Sequence, residues 1–290
     1  IDWNSAVNAA RPLVSPTTSD DDLFDVLSML MEPLNDRHVT LASDQRFTQS
    51  GTVPDPFWTM RSKDILANIS LGYLGGILQS VPGDDRVQFG ALDSGRILYL
   101  AVLDLESASP GAASLPESLD DVLGQFPHVE ALIVDLRSNG GGRSANGNAI
   151  LDRLTDTQRI GWFQQTRSTL DDGFTPLEAV MIAPAGENRG AIPTALLVSG
   201  QTASTADRVA MGAAPIPGVT LIGTTTLGIL SNTLDLVLAN RWTIGLSHQR
   251  MYTVHGGHFE QLGIAPDIEA RLLPAQLGTA PIATINSLHA

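Results

Sequence analysis

The chain has 290 residues, 43% of them hydrophobic and 17% charged, so it can bury a sizeable core as one large domain or as two. Its formal net charge of −14 argues against nucleic acid and anionic membrane surfaces as partners. Cysteine is absent, which removes a disulfide framework, a thiolate metal site and a cysteine nucleophile, and no run approaches the ~18 apolar residues of a membrane span.

The opening residues, Ile1-Asp2-Trp3-Asn4, carry neither a basic n-region nor an apolar h-region, so no signal peptide is expected. The missing initiator Met reads as processing or trimming, which leaves the compartment open, a periplasmic or secreted origin included. A short helix is expected around residues 3–10. Ser19 then caps a second helix whose first turn, Asp20-Asp21-Asp22, suits the positive end of the helix dipole. Leu23, Val26, Leu27, Leu30 and Leu34 recur at helical spacing and give it one apolar face. Asn35-Asp36 breaks this helix, and Val39-Thr40-Leu41 reads as extended. Residues 46–92 are less regular, with turn-rich "GTVPDPF" and "VPGDD".

From residue 95 strands and helices alternate. Arg96–Leu103, Ala131–Leu136, Leu196–Val198 and Val219–Gly223 read as strands. Leu119–Phe126, 143–155 and 204–214 read as helices. The pattern predicts an α/β sheet covered by helices and wound through right-handed crossovers. Thr233–Leu238 and Trp242–Ser247 suggest a hairpin around Ala239-Asn240-Arg241.

Two strand-to-helix junctions carry possible chemistry. "DLRSNGGG", Asp135 to Gly142, is either a flexible turn or a set of backbone N–H donors for an oxyanion or phosphate. It lacks the lysine of a Walker A loop and the register of a dinucleotide fingerprint. In "VSGQTASTAD", Ser204 stands at a helix start. It is either an N-cap or a nucleophile stabilised by the helix dipole and the Thr205 N–H. Ser144 in "GRSANG" competes, but Asn146 occupies the last glycine position of a nucleophile elbow.

A serine nucleophile needs a base. Lys63 is the sole lysine, and the other sixteen basic residues are arginines, which stay protonated. Of the six histidines, His38 in "NDRH" follows a helix end and suits a functional role. His248, His255 and His258 suggest zinc only weakly, since Gly256-Gly257 interrupts any helix between the last two. His128 and His289 read as surface or packing residues.

"ALIVDLRSNGGG", "LLVSGQTASTADRVAMGA", "LIGTTTLGILS" and "HFEQLGIAPDIEA" occur in that order. Together they resemble the S41 serine peptidases, the family of carboxyl-terminal processing and tricorn-type proteases. "IDW" and "LNDRHVTL" resemble the N-terminal portion of the branch without a catalytic lysine. The resemblance implies a crotonase/ClpP-like core of repeated ββα units over residues 93–290. A small helical subdomain (1–47) and a connecting segment (48–92) precede it. It implies Ser204 as nucleophile, with Gly141 and its neighbour Gly140, and the Thr205 N–H, forming the oxyanion hole. The processing branch carries its lysine where Ile229 stands here, and about 50 residues before the strand at 96 are too few for a PDZ domain. The tricorn-like branch instead implies His38 as base and Glu260 as its orienting carboxylate. Arg37 occupies the place of that branch's extra serine. The implied reaction is peptide hydrolysis on a peptide or protein substrate, with no metal and no cofactor. A silent peptide- or ligand-binding module, or a crotonase-type acyl-CoA enzyme, would share the fold.

Overall fold

A computed structural model describes residues 1–51, 74, 78–168 and 173–271. Lys63, His289 and much of segment 48–92 lie outside the described residues. The chain divides into two compact units. The first comprises Ile1–Val53, Thr166–Thr175 and Ser231–Arg250, and the second comprises Pro54–Gln165, Pro176–Leu230 and Met251–Ala290.

In the first unit, helix α1 (Trp3–Ala10) starts at Asp2, whose carboxylate accepts the Ser5 N–H at 3.0 Å. Helix α2 (Asp20–Met31) starts at Ser19, whose hydroxyl accepts the Asp22 N–H at 3.2 Å. The chain leaves α2 through a short 3-10 turn that ends at Asn35 in the left-handed region, φ 47°. Strands β1 (Thr40–Ala42) and β2 (Phe47–Gln49) follow. They join β11 (Thr233–Val237) and β12 (Thr243–Ser247) in an antiparallel sheet of order β11-β12-β1-β2. The helices therefore share their unit with a sheet whose other half comes from the hairpin nearly two hundred residues later. Phe24, Met31, Val39, Leu41 and Trp242 form its core, with Phe24 edge-on to Trp242 at 5.5 Å.

The second unit is built on a mixed seven-stranded sheet. Its strands are β3 (Gln79–Val81), β4 (Asp84–Leu92), β5 (Ile97–Val102), β6 (Ala131–Asp135), β9 (Thr194–Val198), β10 (Val219–Gly223) and β14 (Ile268–Glu269). The order is β14-β10-β9-β6-β5-β4-β3, and β5, β6, β9, β10 and β14 run parallel. Parallel neighbours need crossovers. Helix α3 (Leu115–Gln125) connects β5 to β6, and helix α5 (Thr205–Ala213) connects β9 to β10. Between β6 and β9 come helix α4 (Ser144–Leu154) and the strands β7 (Arg159–Thr166) and β8 (Glu178–Ile182), which pair with each other. Strand β13 (Gln249–Tyr252) flanks β7.

Strands β3 and β4 occupy the stretch that reads as turns in the sequence. Asp84 and Arg86 hide the strand's period because both are buried, paired at 2.7 Å and joined by the Ser118 hydroxyl. Buried, hydrogen-bonded ions of this kind look like surface residues in a hydropathy reading.

The topology places the functional loops. Strands β6, β9 and β10 are adjacent and parallel, so the loops after Asp135, Val198 and Gly223 leave the same edge of the sheet. That edge, at the carboxyl ends of parallel strands, is where α/β sheets bind ligands.

Candidate active site

The loop after β6 is anchored from below. Asp135 is buried and accepts from Tyr99 Oη at 2.7 Å and from Arg137 Nε at 2.9 Å. Burial alone would push its carboxyl up, but the Arg137 charge and these hydrogen bonds win and hold it below the usual carboxylate range. Asn139 then ties the turn together. Its Nδ2 donates to Val102 O at 2.8 Å, and its Oδ1 accepts the Gly141 N–H at 2.8 Å.

Gly141 has φ +100°, and a Cβ there would lie 2.7 Å from both Ala203 O and Ser204 Cβ. Glycine is thus required twice over, for the left-handed backbone and for the close approach. The glycine turn packs directly against Ser204. The two loops are also stitched by Ala203 N–H donating to Asn139 O (3.0 Å) and by Thr202 Oγ1 donating to Leu136 O (2.8 Å).

Ser204 has φ 56° and ψ −119°, an uncommon backbone conformation for a residue with a Cβ. Such residues cost on the order of 1–3 kcal/mol and cluster at functional sites. From Thr202 through Ala213, Ser204 is the one residue not buried. Its side chain therefore stands at the tip of a strained turn at the N-terminus of α5, where the Ala206 N–H donates to Ala203 O at 2.9 Å and Thr205 supplies the first amide of the helix. The Thr205 hydroxyl donates away, to Gly142 O. The close packing of α4 on α5 supports the turn: a Cβ at Gly147 would come 2.5 Å from Thr205 Cγ2.

Behind Ser204 lies Asp207, fully buried. Its Oδ2 accepts the Ser204 N–H at 2.8 Å and the Ile229 N–H at 3.1 Å, and its Oδ1 accepts the Gly228 N–H at 3.0 Å. The Thr226 hydroxyl bonds to it as well. Burial nevertheless pushes its carboxyl up to about 6, against the pull of these donors. The adjacent Arg208 is also buried. It donates to Ser144 Oγ at 3.2 Å and to Thr205 Oγ1, and burial lowers it to about 10 while Asp207 and Glu260 oppose that shift.

Glu260 sits on a loop fastened to the turn after β10. Gln261 N–H donates to Gly228 O at 2.6 Å, Thr226 N–H to Ile264 O at 3.1 Å, and Ile264 N–H to Thr226 Oγ1 at 2.8 Å. Ser204, Thr205, Gly140, Gly141 and Glu260 therefore all belong to the second unit, on loops that are bonded to one another.

His38 belongs to the first unit. It is half-buried, on the turn between α2 and β1, and its N–H donates to Asp36 Oδ1 at 2.8 Å. Arg37 beside it donates to Gln49 Oε1 at 3.1 Å, and burial lowers its guanidinium.

The sequence matches the family model of peptidase family S41 over residues 96–270, more than half of the chain. The chain belongs to peptidase family S41. As a member it is a serine-type peptidase. A Parabacteroides merdae protein assigned as a peptidase is 23% identical and superposes with a TM-score of 0.78, covering 100% of this chain and 90% of that one. A Streptococcus agalactiae lipoprotein is 14% identical with a TM-score of 0.62, covering 95% and 86%. The photosystem II D1 C-terminal processing protease is 20% identical with a TM-score of 0.52, covering 69% and 52%. These likenesses show the fold. No curated protein matches the sequence.

Within this S41 peptidase two of the remaining histidines have backbone partners. His248 Nδ1 lies 2.9 Å from Asn232 O, and His258 Nδ1 lies 2.8 Å from Met251 O. Among the described residues no cluster of three histidine or carboxylate groups could hold a metal, and no helix is long and apolar enough to cross a membrane. Sequence reasoning overlooked Asp207 and Asn139. The S-x-x-D spacing of a capping box signalled the first.

Proposed function

We propose that this S41 peptidase hydrolyses peptide bonds through an acyl-enzyme on Ser204, with His38 as base and Glu260 as its orienting carboxylate. His38 would take the Ser204 proton on attack and return it to the leaving amine. Glu260 would hold the imidazole in the right tautomer and stabilise the imidazolium. The Thr205 N–H and the Gly140–Gly141 turn would receive the tetrahedral oxyanion, where losing one donor typically costs about 10²–10³ in rate. The core is read as crotonase-like, with the base supplied from the N-terminal segment.

The observation that carries this reading is Ser204 itself. It is a strained, partly exposed serine in a buried run, backed by a helix N-terminus and pressed against the glycine turn. A plain helix cap needs neither the strain nor the glycine contact.

One observation favours a second reading, a catalytically silent peptide-binding module. The Gly141 N–H is donated to Asn139 Oδ1 rather than held open for an oxyanion. In the active reading, the Asn139 side chain fixes the turn and substrate binding redirects that amide. A fluorophosphonate probe distinguishes the two. Stoichiometric labelling that disappears in Ser204→Ala supports the peptidase; a folded wild type that neither labels nor cleaves peptides supports the silent module.

A further inference from the structure

We infer that Asp207 is a positioning residue for the nucleophile: its carboxylate holds Ser204 in its left-handed backbone geometry and locks that geometry to the turn at 226–229. The inference rests on Ser204 being the nucleophile.

In an ordinary capping box the N-cap residue is extended and the acidic side chain reaches back once, from the surface. Here the N-cap residue has φ 56°, the acid is the shorter Asp, and it is buried to 0% exposure. It gathers four donors, the N–H groups of Ser204, Gly228 and Ile229 and the hydroxyl of Thr226. A carboxylate offers about four lone-pair sites, so its capacity is filled. Two of these donors lie over twenty residues downstream, which a helix cap alone does not require.

The Ser204 N–H bond bears directly on the strained φ. If it is lost, the turn is free to relax toward an ordinary cap and carry the hydroxyl away from the Thr205 amide and the glycine turn. Thr226 extends the hold, because its oxygen also accepts the Ile264 N–H. The loop that carries Glu260 is thereby tied to the same carboxylate. Ile229, where the processing branch carries its lysine, contributes through its backbone.

Asp207→Asn tests the inference with little change of shape, since an amide keeps one acceptor oxygen and turns the other toward donors as an N–H₂. Misplacing a reacting group by about 1 Å costs about 10²-fold. Asp207→Asn is therefore expected to lower both the fluorophosphonate labelling rate and kcat by about 10–100-fold, with KM within about threefold of wild type. Thr226→Val should show a smaller loss of the same kind, and Thr226→Ser should recover most of it. Labelling of folded Asp207→Asn at the wild-type rate, while Ser204→Ala is inert, overturns the inference and leaves the nucleophile in place. Undiminished labelling of Ser204→Ala instead removes the nucleophile reading itself. Should Asp207→Asn fail to fold, the threonine pair decides: equal rates for Thr226→Val and Thr226→Ser overturn the inference.

Discussion

Two helices of the second unit begin with the same four-residue pattern, a serine followed three positions later by an acid. At α3, Ser114 has φ −67° and ψ 157°, and Glu117 is exposed and accepts both the N–H and the hydroxyl of Ser114 at 2.8 Å. At α5, Ser204 has φ 56° and Asp207 is buried among four donors. The two acids respond in opposite directions. Hydrogen bonds from Ser114 hold Glu117 below the usual carboxylate range, whereas burial pushes Asp207 up to about 6. One local pattern thus yields a solvated cap in one place and a strained, loaded turn in another. Backbone sign and burial make the difference, and neither is written in the four residues.

The comparison breaks most sharply at the serines. Ser204→Ala is expected to lower peptide hydrolysis by about 10⁴–10⁶-fold while the thermal midpoint shifts little, since alanine meets the same strain at positive φ. Wild-type turnover in that variant would make Ser204 a cap like Ser114. His38→Ala should lose nearly as much, and the acidic limb of the wild-type pH–rate profile should vanish with it, because neutral imidazole alone accepts the proton. A retained limb would move the base elsewhere.

Gly141→Ala sharpens the contrast from the neighbouring loop. Its Cβ would press on Ala203 O and Ser204 Cβ at 2.7 Å, so hydrolysis should fall by about 10²–10³-fold and the protein should melt earlier. No equivalent glycine change near Ser114 should touch the rate.

The opposite carboxyl shifts supply a pH test. Because burial raises Asp207 to about 6, between about pH 4 and 6 the folded state holds a proton that the unfolded chain has released. The stability linked to Asp207 is therefore full below pH ~4 and is lost as pH rises through 6. Wild type should gain stability relative to Asp207→Asn as pH falls from 7.5 to 5, by about 1 kcal/mol in denaturant melts. A gap independent of pH would show that Asp207 is not raised. The smallest effect belongs to Ser114→Ala, which should cost about 0.5–2 kcal/mol of stability and leave kcat unchanged.

Local physics made much of this protein legible from its residues. The apolar strands at 97–102, 131–135, 194–198 and 219–223, the helices that follow them and the late hairpin all lie where periodicity and turn residues put them. Their codes are short-range: burial period, caps and breakers act over a few residues. The junctions that carry Ser204 and Gly141 were visible for the same reason, together with the motif order that marks the S41 family. What stayed hidden depends on partners far away in sequence. Strand β4 was masked because Asp84 and Arg86 neutralise each other only once folded, and α3 begins at Leu115, four residues ahead of the expected Leu119. The four-stranded sheet of the first unit needed residues 40–49 to meet 233–247. Whether Ser204 caps or is strained turned on Gly141, sixty-three residues earlier, pressing on its Cβ, and on the turn at 226–229 filling the Asp207 carboxylate. Only tertiary structure decides such matters, because burial and the sign of φ are set by whatever the rest of the chain packs around a residue.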